Sequence, residues 1–191
     1  VSADTMRAEV AAAALAAGAR IVNDVSGGLA DPAILDVVAA SDATYVAMHW
    51  RAHSDTMQEF TSYDGPVAEV VADELRLRVG AARAAGIPDE RLVLDPGIGF
   101  AKTADQNWEL LADLGPLRAL GLRLLVGASR KRFLGVLLGT ADGTLRPVGD
   151  RELAHAAIVG HLARAGVWGL RVHDVRAARD VLAALRRLED G

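Results

Sequence analysis

Six times along this chain, a short run of aliphatic and β-branched residues passes through a few polar residues into a longer stretch with apolar positions at helical spacing. No other feature restricts the fold as much. Two parallel strands need a long crossover, and a helix supplies it, so strands that alternate with helices imply a parallel sheet. Strands are expected at residues 1–3, 20–25, 44–48, 91–94, 122–126 and 167–172. Helices are expected at 5–17, 31–40, 66–85, 104–120, 130–138, 151–165 and 175–188. Gly18 and Gly86 stop the first and third helices, Asp31-Pro32 opens the second, and Gly115-Pro116 marks a break in the fourth. Loops are expected over 51–64 and 140–149.

The polar residues discriminate between the two architectures this pattern allows. They gather just after the strands: Asp4, Asn23 and Asp24, His49, Asp95, Ser129 to Lys131, Arg171 and His173. A doubly wound sheet concentrates its site at one switch point, whereas a barrel opens every strand end onto one face. The expectation is therefore an α/β chain folded as a (β/α)8 barrel, with about six βα units present. On this reading residues 1–191 are one domain, the C-terminal three quarters of the barrel, with two units ahead of Val1.

Composition removes several function classes. The net charge of −4 and scattered Lys and Arg argue against nucleic acid or an anionic membrane as the main partner. No apolar run is long enough to span a bilayer, and no secretory signal is expected. With no cysteine, disulfides and thiolate metal sites are excluded, and a cytoplasmic location is expected. His49, His53, His155 and His161 lack metal spacing and read as structural or solvated; no protein-built metal site is expected.

Four motifs carry the chemistry. Asp4 in SADT and Asn23-Asp24 in NDVSGG each read, alone, as a cap or a turn. LDPGIGF is harder to dismiss. Pro96 fixes one torsion, Gly97 and Gly99 permit others, and Asp95 can accept two hydrogen bonds from a planar amidine-like edge. The alternative is a tight turn with Phe100 in the core. GASRKRF places cations at a helix start, against the helix dipole, a conflict that an anion or an electron-rich ring edge would resolve. GLRVHDV places Arg171 and His173 two apart at the last strand. They suit a phosphate grip, or else Arg171 pairs with a carboxylate such as Asp95 or Asp174.

Taken in order, SADT, NDVSGG, MHWR, LDPGIGFAKT, GASRKRFLG and RVHDV resemble dihydropteroate synthase over essentially the whole chain. The resemblance implies a (β/α)8 barrel that joins 6-hydroxymethyl-7,8-dihydropterin pyrophosphate to p-aminobenzoate. The products are 7,8-dihydropteroate and pyrophosphate, a step of folate synthesis that sulfonamides inhibit. By resemblance, Asp4, Asn23, Asp95 and Lys131 bind the pterin, and Val25, Met48 and Gly127 shape its pocket. Arg171 and His173 fall at the pyrophosphate, with Arg171 also stacking on the pterin. Phe100, Lys131 and Arg132 fall at p-aminobenzoate. The catalytic set is Asp4, Asp95, Lys131, Arg171 and His173. The resemblance further implies Mg2+ as cofactor and a homodimer, to which the helices at 151–165 and 175–188 contribute.

The chain departs from the family in two ways. The family's opening strand and loop, which reads like NVTPDSF and supplies an Asn near Mg2+, is absent, as is the GGESTRPG loop. Arg132 also stands where many relatives carry Ser. The competing expectations are a non-catalytic paralogue or truncated fragment acting as a dimer partner, and a methyltetrahydrofolate-binding corrinoid methyltransferase.

Overall fold

The computed structural model describes residues 1–53 and 55–190. Its strands are β1 (Ser2–Asp4), β2 (Ile21–Asp24), β3 (Thr44–Met48), β4 (Leu92–Asp95), β5 (Arg123–Val126) and β6 (Gly169–Leu170). They form one sheet in sequence order, every neighbouring pair parallel. The connections are α1 (Ala8–Ala16), α2 (Ala33–Ala39), α3 (Val67–Ala84), the pair α4 (Ala104–Ala112) and α5 (Gly115–Arg118), α6 (Arg132–Leu137) and α7 (Glu152–Arg164); α8 (Val175–Glu189) follows β6. A doubly wound sheet reverses its strand order at a switch point. This order never reverses, which is how a (β/α)8 barrel is wound, and the six units are a part of one. Among the described residues no helix is long and apolar enough to cross a membrane.

Helix α3 shows how the outer layer is attached. Val67, Ala68, Val71, Ala72, Leu75, Val79 and Ala82 recur at helical spacing and are all buried. They pack in the same core as Tyr45, Ala47, Leu92 and Leu94 of the sheet. Leu75 is fully buried, and truncating it to Ala would cost about 2–5 kcal/mol. Pro66 stands just before the helix, and Gly86, at φ +99°, turns the chain out of it.

Most sequence boundaries hold to within a residue or two, and two differ in instructive ways. Helix α1 begins at Ala8 rather than Thr5, so Asp4 is not its cap. The Ala8 N–H instead donates to Asp31 Oδ2 at 2.7 Å, from the loop ahead of α2. The fourth helix divides at Gly115-Pro116 as expected. The last strand shrinks from the expected 167–172 to Gly169–Leu170, since β5 pairs with it only through Leu125 and Val126. Arg171 therefore lies just past the strand, with its side chain 39% exposed rather than buried.

Candidate active site at the strand ends

The register brings the polar strand ends together. Asp4 pairs with Asn23 across β1 and β2, and Met48 with Asp95 across β3 and β4. Asn23 Nδ2 donates to Asp4 Oδ2 at 3.0 Å, and Arg171 Nη1 donates to Asn23 Oδ1 at 3.3 Å. Arg171 Nη2 then donates to Asp95 Oδ2 at 2.6 Å. One continuous chain of hydrogen bonds thus links the ends of β1, β2 and β4 through Arg171, just past β6. The Asn23 amide fits it in only one orientation, nitrogen toward the carboxylate and oxygen toward the guanidinium.

Asp95 is 1% exposed, and its second oxygen accepts the Gly97 N–H at 2.8 Å. A carboxylate so buried needs a charged partner. Arg171 provides it, so the local-carboxylate reading of Arg171 holds in this state. The guanidinium also shows that Asp95 accepts from a planar N–H edge.

Gly127 has a steric reason. A Cβ there would lie 3.0 Å from Arg171 Nε and Nη2 and 3.2 Å from Cζ. Only a residue without a side chain lets the guanidinium lie against β5's end.

Lys131 crosses the opposite wall. Its stem passes over Gly99, where a Cβ would come within 2.8 Å of Lys131 Cδ, and its ammonium sits 4.0 Å from the centroid of the Phe100 ring. Burial pulls Lys131 down to about 8; the Asp95 charge opposes that shift and Arg171 adds to it. The loop carrying Lys131 is held by a cation that sequence reasoning missed. Buried Arg151 donates from Nη1 to the carbonyls of Arg130 at 2.9 Å and Lys131 at 3.2 Å.

The remaining expected residues fall as follows. His173 Nδ1 lies 2.9 Å from Ser129 Oγ, which ties β6's end to the Ser-Arg-Lys loop. Phe100 and Val25 are half-buried, and Met48 is fully buried. Arg132 is exposed at the start of α6 and makes no ion pair among the described residues, whereas Arg130 pairs with Glu152 at 2.8 Å. Asp24 serves the turn: its oxygens accept from Ser26 N and Oγ, Gly28 N and Tyr45 Oη at 2.7–2.8 Å. The described residues gather no group of three His, Asp or Glu side chains able to hold a metal.

Chemically, the site is two-sided. Carboxylates and an amide line one wall, suited to a planar nitrogenous edge. Lys131, Arg171 and the Ser129–His173 pair supply the cationic and donor side.

Comparison with known proteins places the chain in a family. The family model for pterin binding enzymes matches residues 1–173. Dihydropteroate synthase from Mycobacterium leprae is 55% identical over 183 residues, covering 95% of this chain and 64% of the relative's length. Among solved structures, dihydropteroate synthase from Xanthomonas albilineans in complex with 7,8-dihydropteroate superposes with TM-score 0.87 at 38% identity, covering 98% of this chain and 66% of that one. The enzyme from Thermus thermophilus in complex with 4-aminobenzoate gives 0.88 at 38% identity, covering 98% of this chain and 70% of that one.

Proposed function

This chain belongs to the pterin-binding enzyme family, and from that premise we propose that the protein is a dihydropteroate synthase. It condenses 6-hydroxymethyl-7,8-dihydropterin pyrophosphate with p-aminobenzoate and releases pyrophosphate and 7,8-dihydropteroate. The observation that carries the reading is Asp95, buried at a strand end with a planar guanidinium on one oxygen. The amino-pyrimidine edge of a pterin offers the same kind of planar N–H donors.

In this mechanism Asp4, Asn23, Asp95 and Lys131 hold the pterin ring. Val25, Met48 and Gly127 bound its pocket. The bond from the pterin methylene to the pyrophosphate oxygen breaks, and its electron pair leaves with pyrophosphate. Positive charge then develops on the methylene and ring, facing Asp4 and Asp95, while Arg171 and His173 face the leaving anion. Opposite fields across one C–O bond favour an SN1-like path. The amine of p-aminobenzoate, placed by Phe100, Lys131 and Arg132, forms the new C–N bond and gives up a proton. No side-chain nucleophile takes part.

Mg2+ is the cofactor the family reading implies. Among the described residues the side chains do not assemble a site for it, and no step above runs through a metal. The protein is further read as a cytoplasmic homodimer. In support, α7 and α8 present Leu153, Val175 and Leu188 at 90%, 60% and 73% exposure.

The test is formation of 7,8-dihydropteroate by the full-length protein from the pterin pyrophosphate and p-aminobenzoate. Product formation that falls at least about a hundredfold in Asp95→Asn is expected. No dihydropteroate, or an unimpaired Asp95→Asn, would refute the assignment.

A further inference from the structure

The loop LDPGIGFAKT carries, one residue before its end, a lysine that the mechanism above does not use. Lys102 is 3% exposed and points inward. An ammonium has three N–H bonds, and three acceptors surround it: His49 Nδ1 at 3.1 Å, Gly97 O at 3.2 Å and Phe100 O at 3.2 Å. Burial pulls Lys102 down to about 7, and Asp95 pulls the other way. The protonated form alone satisfies all three acceptors.

The geometry fixes the tautomer of His49. Its Nε2 lies 2.8 Å from Glu74 Oε2, and a carboxylate only accepts, so Nε2 carries the proton and Nδ1 offers its lone pair to Lys102. Burial, with the Lys102 charge second, lowers His49 to about 4, so the ring stays neutral and remains an acceptor. Arg51 in turn fixes Glu74, with Nε at 3.1 Å from Oε2, and lies 3.8 Å from the centroid of Tyr63. Tyr63 Oη donates to Ala101 O at 3.0 Å. The circuit closes on the loop where it began.

The loop needs that support. Gly97, Gly99 and Ala101 all have positive φ, at 66°, 80° and 48°. Ala101 lacks a glycine's freedom, and an L-residue there costs on the order of 1–2 kcal/mol. Such a conformation persists when its surroundings over-determine it. Gly97 also rests on strand β3's exit, where a Cβ would come within 2.5 Å of His49 O. Two site features ride on this loop: the Phe100 ring, and Gly99 beneath the Lys131 stem.

We propose that Lys102, oriented by His49 and Glu74, is the positioning residue that sets Phe100 for p-aminobenzoate. It touches no substrate and acts through the carbonyls of Gly97 and Phe100. The proposal rests on the synthase reading, and it separates two halves of the site. Asp95 is held by its own ladder, where the His49 N–H donates to Asp95 O at 2.8 Å. The bond from Arg171 Nη2 to Asp95 Oδ2 lies outside the clamp, so the pterin wall keeps an anchor of its own although Gly97 N–H donates to the other Asp95 oxygen.

The experiment uses full-length wild type and Lys102→Met, which keeps the length of the side chain and removes its donors. Assays are run at about pH 6, where a group that titrates near 7 is mostly protonated. A rise of about tenfold or more in KM for p-aminobenzoate is expected, with KM for the pterin pyrophosphate changed less than about threefold. An unchanged KM for p-aminobenzoate, or an equal rise in both, overturns the proposal. Nitrogen-15 NMR of the wild-type histidines gives a reading independent of any variant's folding. His49 protonated on Nε2 supports the clamp, and His49 protonated on Nδ1 overturns it. Wild-type protein without synthase activity would refute the functional assignment, while the NMR result would still decide the clamp.

Discussion

Adding one methyl group at Gly127 should separate activity from stability. In Gly127→Ala the new Cβ would sit 3.0 Å from two nitrogens of Arg171 and 3.2 Å from its central carbon. A comfortable contact is about 3.5 Å or more, so the guanidinium must retreat by about half an ångström. It cannot do so freely, because Nη2 is held at 2.6 Å from Asp95 and Nη1 at 3.3 Å from Asn23. The side chain is 39% exposed, and a shift of about half an ångström that keeps Nη2 within hydrogen-bond reach of Asp95 limits the cost to the fold. Gly127 is not at positive φ, so alanine adds no backbone strain there and stiffens the unfolded chain by about 0.4–1 kcal/mol in favour of folding. The expectation is a loss of about tenfold or more in kcat/KM, equal to about 1.4 kcal/mol of transition-state stabilisation. Stability should change by less than about 1 kcal/mol. Steady-state kinetics and urea unfolding on one preparation would measure both. Wild-type kinetics in a folded Gly127→Ala would show that the position of Arg171 is not what this glycine protects.

Other outcomes follow from the same geometry. At Gly135 an added Cβ would come within 2.5 Å of Arg151 Nη2 and 2.7 Å of its central carbon; this buried guanidinium has little room to retreat, so Gly135→Ala should cost about 1–3 kcal/mol in urea unfolding. His49, lowered from 6.5 to about 4 by burial, binds its proton more weakly folded than unfolded. Its contribution to stability is therefore complete above pH 6.5 and is lost as pH falls toward 4, so His49→Gln should flatten the melting-temperature profile across that window. If α7 lies at the dimer contact, Leu153→Asp should shift sedimentation toward a monomer, and an unaffected dimer would move the contact elsewhere.

Local patterns in the sequence carried the winding, and long-range contacts decided what local patterns missed. Alternating strands and helices, with polar strand ends, were enough to favour a barrel over a switched sheet. The Gly115-Pro116 break was legible because its cause is local. Asp4 looked like a helix cap because capping is usually supplied from the adjoining residues. Here the donor at Ala8 reaches Asp31, 23 positions away, and Asp4 is left for Asn23. Asn23 and Asp24 are neighbours of similar chemistry, and only the strand's alternation sends one toward Arg171 and the other toward Tyr45. The role of Lys102 was not legible, because its partner His49 lies 53 positions away, Glu74 behind it is 25 further on, and no spacing rule links them. The length of β6 was overestimated because β-branched residues report a preference, whereas a partner strand sets the extent.

On the proposed function, the bond between Asp95 and Arg171 makes ligand capture an exchange. The carboxylate is already occupied by a donor tethered to the same molecule, so an arriving planar edge must evict it. Measured affinity at this wall is then a difference between two contacts, smaller than either alone. The evicted guanidinium is left seeking an anion at the moment one would be delivered. A ligand that carries its own negative group satisfies both partners together, whereas one that lacks it strands the arginine, so the protein can select for a charge it meets only after the ring has docked.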